Sequence, residues 1–142
     1  MKESENVSIL ESCALSYIEL GNACITKGQA YSYIDGCTSY EHAILYAKRA
    51  EELAEEKRDV MAECYRCLGN AYSLFNNKEL SFASIEYYKK SIEYSLAKST
   101  REASLRVIEL YLLISFEYIR LSQIDMATRM CKNAENVLQI IK

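Results

Sequence analysis

Cys64 and Cys67 stand in a Cys-x-x-Cys spacing. A dithiol of that spacing does redox work where a strand runs into a helix. It can also supply half of a structural zinc site, which needs four ligands. The flanking residues offer neither setting: no second such pair occurs, and His42 is the only histidine. His42 sits beside Glu41, but no motif places a nucleophile near it and the chain has no glycine-rich phosphate loop. The sequence therefore predicts no enzyme, no metal and no cofactor, and Cys64 and Cys67 read as structural thiols. Of the twelve tyrosines, half (Tyr17, Tyr65, Tyr72, Tyr88, Tyr111 and Tyr118) fall at recurring positions that suit a core better than base stacking. Single-stranded nucleic acid also needs a basic groove, and 17 basic against 20 acidic residues give a net charge of −3. Nucleic acid and anionic membrane surfaces are accordingly not expected as partners. What chemistry remains is hydrogen bonding by carboxamides, Asn22 and Asn70, each inside the word Leu-Gly-Asn-Ala at 20–23 and 68–71.

The elements that position these residues follow from composition and spacing. A chain of 142 residues is expected to form one domain and to bury a core without covalent staples. It has no proline and four glycines. A compact β protein needs those residues at its turns, so helices joined by short polar loops are expected. The first residues, Met1-Lys2-Glu3-Ser4-Glu5-Asn6, precede no apolar stretch of the kind a signal peptide requires. No apolar run approaches the ~20 residues of a membrane span. Six cysteines without a secretion signal read as reduced thiols in the cytoplasm. Charge is uneven: residues 1–58 carry 6 basic and 10 acidic side chains, residues 59–142 carry 11 and 10. The first half should be the more acidic surface.

Start signals divide the chain into helices. A Ser, Thr or Asn followed three residues later by an acid reads as a capping box, and five such pairs are read as helix starts: Ser8 with Glu11, Thr38 with Glu41, Asn76 with Glu79, Ser99 with Glu102, and Ser122 with Asp125. Asp59 is a weaker start. Six helices are thus predicted over about 6–27, 39–57, 59–75, 78–98, 100–121 and 123–141. Residues 28–38, bracketed by Gly28 and Gly36, read as an eleven-residue loop, long for a helical hairpin. It is either a functional element or an insertion, and Tyr31, Tyr33 and Ile34 suggest that it packs down.

Paired as helix A and helix B, the segments align in three copies. Helix A opens with Tyr17, Tyr65 and Tyr111, followed by Leu20, Leu68 and Ile114, then by the small residues Gly21, Gly69 and Ser115, then by Cys24, Tyr72 and Tyr118. Helix B carries small residues at Ala43, Ser84 and Ala127 and seven later at Ala50, Ser91 and Ala134. Small residues seven apart share a helix face and let a neighbour approach closely. This grammar resembles the tetratricopeptide repeat (TPR) family, with copies over about 14–54, 62–95 and 108–138. The separations of 48 and 46 between opening tyrosines exceed the ~34 usual for the family. They are similar to its long-repeat members, the Leu-Gly-Asn type of polarity and spindle-orientation adaptors and kinesin light chains. The family's proline after helix B is missing throughout.

The resemblance implies an all-α fold of three helix-turn-helix repeats, stacked as a right-handed superhelix whose A helices line a concave groove. It implies a non-enzymatic adaptor or scaffold that binds a peptide or helical segment of a partner protein. By resemblance, the groove positions are Ile18, Glu19, Asn22, Ile25 and Thr26, then Arg66, Cys67, Asn70, Ser73 and Leu74, then Leu112, Leu113, Phe116, Ile119 and Arg120. Asn22 and Asn70 would clamp a ligand's backbone, Glu19, Arg66 and Arg120 its polar groups, and Leu112 and Phe116 an apolar anchor. The alternative role for each asparagine is an inter-helix hydrogen bond. Phe116 replaces asparagine in the third copy, so the groove should be polar at one end and apolar at the other. With Arg66 and Arg120 alone, it should not hold acidic C-terminal tails tightly. The last helix, with Val137, Leu138, Ile140 and Ile141, leaves an apolar end that predicts self-association or a neighbouring repeat. A second reading of the whole chain is therefore a structural subunit that assembles through its B helices and C-terminal helix.

Overall fold

A computed structural model describes residues 3–31 and 33–141, without the side chains of residues 3–5, 7 and 33–35. The described residues form six α-helices and no strand: α1 (Glu3–Gln29), α2 (Tyr33–Leu53), α3 (Arg58–Ser73), α4 (Lys78–Ser95), α5 (Arg101–Arg120) and α6 (Ile124–Ile141). The chain is all-α. It packs in adjacent pairs, α1 with α2, α3 with α4 and α5 with α6, while α3 also rests on α2 and α1, and α5 on α4. No helix among the described residues is long and apolar enough to cross a membrane.

The small positions explain the pairing. Ala43, Ala50, Ser84, Ser91, Ala127 and Ala134 are all buried. Where the small residue is serine, its hydroxyl donates to a backbone carbonyl of the helix it touches: Ser84 to Gly69 and Ser91 to Ala62, both at 2.7 Å. A buried hydroxyl satisfied in this way adds no desolvation penalty to the close approach. Ser115 does the same across α5 and α6, donating to Ala127 at 3.2 Å. Two apolar clusters result, one from α1, α2 and α3, the other from α4, α5 and α6.

The eleven-residue loop expected over 28–38 is mostly helix. α1 continues through Gln29 and α2 begins at Tyr33. Gly28 and Gly36 lie within α1 and α2, and neither has a positive φ. A Cβ on Gly36 would lie 2.5 Å from the Gly28 carbonyl oxygen, and one on Gly28 would lie 2.5 Å from the Tyr40 ring. The two glycines let α1 and α2 touch backbone to backbone. Tyr31 is exposed rather than packed down; Ser32 and the side chains of Tyr33 and Ile34 lie outside the described residues.

Helix starts also shift. Ser8 and Thr38 lie inside α1 and α2. Asn77, not Asn76, caps α4 by accepting the Leu80 N–H at 3.1 Å, and Thr100, not Ser99, caps α5 by accepting the Ala103 N–H at 3.1 Å. Asn76 and Ser122, expected to start helices, adopt φ of 52° and 60° and follow the helices that precede them. At Ser122 the geometry is a Schellman closure, in which Gln123 N–H donates to Tyr118 C=O and Ser122 N–H to Ile119 C=O, both at 2.9 Å.

Candidate functional site

The candidate site lies between α1 and α3, and α5 reaches α3 beside it through ion pairs. Asn22 from α1 and Arg66 and Asn70 from α3 converge, with Glu63 and Cys67, on a cavity of about 270 Å³. The helical spacing of 63, 66, 67 and 70 puts all four α3 residues on one stripe. Asn70 is held from behind: the Tyr88 hydroxyl donates to its Oδ1 at 2.7 Å. The inter-helix bond weighed as the alternative role for Asn70 is therefore present. It occupies one of the two lone pairs of Oδ1 and orients the carboxamide, whose N–H₂ can donate to a ligand. The Tyr88 ring is buried beneath, and burial raises its phenol well above the ordinary value.

The charged side chains are less available than the sequence implied. Arg66 pairs with Glu109 of α5, and Arg106 of α5 pairs with Glu63 at 2.9 Å. Arg120 is turned back into the protein: it donates to the Ser73 carbonyl at 2.7 Å, to Glu117 at 3.0 Å and to Asn76 Oδ1 at 3.2 Å. Glu117 is itself buried and accepts from the Ser73 hydroxyl. Arg120 thus clamps α5 to α3 and is not a free edge cation. Sequence reasoning missed Glu117, although one signal was there, an acid where the first two copies have Ala23 and Ala71. It also missed Glu63 and Tyr88 as parts of this site.

Other expected groove positions divide. Glu19 and Thr26 are exposed on α1, and Leu112, Phe116 and Ile119 form an exposed apolar stripe on α5 at i, i+4 and i+7. Ile18 and Ile25 are instead buried in the first core, which removes them from the groove. Of the residues expected at an assembly contact, Leu138 is exposed. Val137 packs onto the second core, and Ile141 is partly covered in a crevice with Leu96 and Val137.

The Cys-x-x-Cys thiols are both buried. The Cys64 thiol donates to the Ala47 carbonyl at 3.0 Å, and Cys67 lies against Gly21. Burial pushes each thiol up to about 12. No group of three or more metal-ligating side chains occurs among the described residues. A thiol at that value is only about 10⁻⁴ ionised at pH 8, against roughly a quarter for a free cysteine. Titration of the native protein with a disulfide reagent at pH 8 should accordingly modify the exposed Cys13 first and leave Cys64 and Cys67 intact until denaturant is added. Rapid native labelling of either would show the burial to be wrong. The tyrosines are likewise occupied: Tyr72, Tyr87, Tyr65 and Tyr94 form a stacked ladder with centroids 5.4–6.0 Å apart, and Lys90 lies over two of its rings.

Compared with protein families, curated proteins and solved structures, the chain finds no match.

Proposed function

We propose that this chain is a tetratricopeptide-like interaction module, without catalytic activity, that holds a segment of another protein against α1, α3 and α5. The observation that carries the reading is the convergence of Asn22, Asn70 and Arg66 on one polar cavity; α5, tied to α3 by two ion pairs, carries the exposed apolar stripe of Leu112, Phe116 and Ile119. The cavity offers donors and acceptors suited to a peptide backbone, and the stripe offers a seat for large apolar side chains. An extended or amphipathic segment with apolar anchors at one end fits both. A terminal carboxylate does not, because Arg66 and Arg120 already face Glu109 and Glu117. In this reading Glu19 flanks the polar end, and the A helices form the concave side of a right-handed superhelix. The cytoplasm, where free cysteines stay reduced, is its natural compartment.

The double substitution Asn22→Ala with Asn70→Ala tests it. Loss of two backbone clamps at about 1 kcal/mol each should weaken capture of the native partner by roughly tenfold to a hundredfold. Asn70→Ala also takes the acceptor from the Tyr88 hydroxyl and should lower the thermal midpoint, whereas Asn22→Ala alone should weaken capture with the midpoint close to that of the parent. Capture from a lysate of the native cell, quantified by mass spectrometry, is the measurement. If every protein held by the parent is held equally by the double variant, the groove reading fails.

A further inference from the structure

An apolar hollow lies outside the groove, on α1. It measures about 450 Å³ and is lined by Ile9, Cys13, Ser16, Tyr17 and Leu20, among others. The repeat register shows what this face is. Counting from the opening tyrosines, Cys13 corresponds to Met61 and Val107, Ser16 to Cys64 and Leu110, and Leu20 to Leu68 and Ile114. All six counterparts are buried. They are buried because α3 and α5 each pack on the preceding B helix: Cys64 donates to Ala47 of α2, and Val107, Leu110 and Ile114 cluster with Ile85 and Ile92 of α4. Leu20, by contrast, is 46 % exposed.

The last helix shows the other half of the same contact. Ile124 and Leu138 of α6 are 60 % and 40 % exposed. Their counterparts in register, Tyr40 and Ser81 for the first, Ala54 and Ser95 for the second, are all buried. One chain therefore carries both halves of an interface that it already makes twice internally, between α2 and α3 and between α4 and α5.

We infer that the chain assembles head to tail, α6 of one copy seating against α1 of a second copy and continuing the stack of hairpins. The contact is heterologous, so it propagates as an open array or closes as a ring. It lies outside the cavity of Asn22 and Asn70 and does not depend on what that cavity holds.

Sedimentation velocity on the full chain, from about 1 µM to about 500 µM, tests the inference. The parent should sediment faster as concentration rises. Leu20→Glu and Leu138→Glu, both at exposed positions, should each weaken association by at least about tenfold. Mixed in equal amounts, the two variants should form a pair that grows no further, because each keeps the half that the other has lost. Circular dichroism confirms that both remain helical; should Leu138→Glu fail that check, Ile124→Glu takes its place. A parent that stays monomeric throughout overturns the inference. So does inhibition by only one of the two variants, the signature of a symmetric contact, or a mixture that does not pair.

Discussion

Gly69→Ala should destabilise the fold by about 1–2 kcal/mol, while Gly21→Ala, the same change in the same tetrapeptide word, should leave stability unchanged or raise it by up to about 1 kcal/mol. In an open helix both changes would be favourable by about 1 kcal/mol, because alanine is the better helix former. What opposes that gain differs. A Cβ on Gly69 would lie 2.5 Å from two carbons of the Tyr88 ring. That ring is buried in the second core, and its hydroxyl is tied to Asn70, so it cannot swing aside without opening the core or releasing the carboxamide. Overpacking of this kind costs about 1–3 kcal/mol before any relaxation of neighbours. At Gly21 the new methyl meets the Cys67 sulfur at 3.0 Å and the Ala43 carbonyl oxygen at 3.3 Å. A shift of a few tenths of an ångström relieves both. Urea denaturation of the two variants, with the slope unchanged and the midpoint read, separates them. Equal losses at the two sites would mean that Tyr88 does not fill the space against Gly69.

The contrast between these glycines shows what a sequence can and cannot display. The helices were legible because their signals are local: no proline, apolar residues at three and four, and small residues recurring seven apart on each B helix. Those small residues are all buried. Signals that serve two purposes misled. Gly28 and Gly36 mark a turn as readily as a close helix contact, and only the backbone contact between them decides. Asn76 and Ser122 fit a helix start as well as the left-handed residue that closes the helix before. At the site, Asn22 and Asn70 were legible because repetition placed them at equivalent positions of α1 and α3, whereas the counterpart of Arg66 in the first copy, Ile18, is buried in the core. The state of Arg120 was not legible, because its acceptors, at the end of α3 and in the connection after it, lie 47 and 44 residues away. Nor could identical words reveal that Leu68 is buried and Leu20 is not, since that depends on whether a B helix precedes the word.

Glu117→Leu should cost about 3 kcal/mol, more than removal of the partly exposed ion pair of Arg66 with Glu109 between α3 and α5. Glu117 is 3 % exposed, and its carboxylate gathers the Ser73 hydroxyl and the Arg120 guanidinium at one point between the two helices. Breaking a buried pair by removing one partner typically costs about 3–5 kcal/mol, because the remaining charge stays desolvated. Arg120 is about a third exposed and keeps the Ser73 carbonyl and Asn76 as acceptors, which sets the expectation at the lower end. Arg66→Ala, by contrast, breaks a pair whose acid is half exposed; water and salt screen such pairs, so a loss under about 1 kcal/mol is expected. The double variant Glu117→Leu with Arg120→Leu should recover most of the stability, because two apolar side chains leave no buried charge unmatched. Denaturation at low and high salt provides the final distinction. The Arg66 contribution should fade as ionic strength rises and the Glu117 contribution should persist, since screening acts on exposed charges far more than on buried ones. A Glu117→Leu loss no larger than that of Arg66→Ala would show that the clamp between α3 and α5 rests on apolar packing alone. Arg120 would then be free to meet a ligand, and the exclusion of acidic tails from the groove would lose its physical basis.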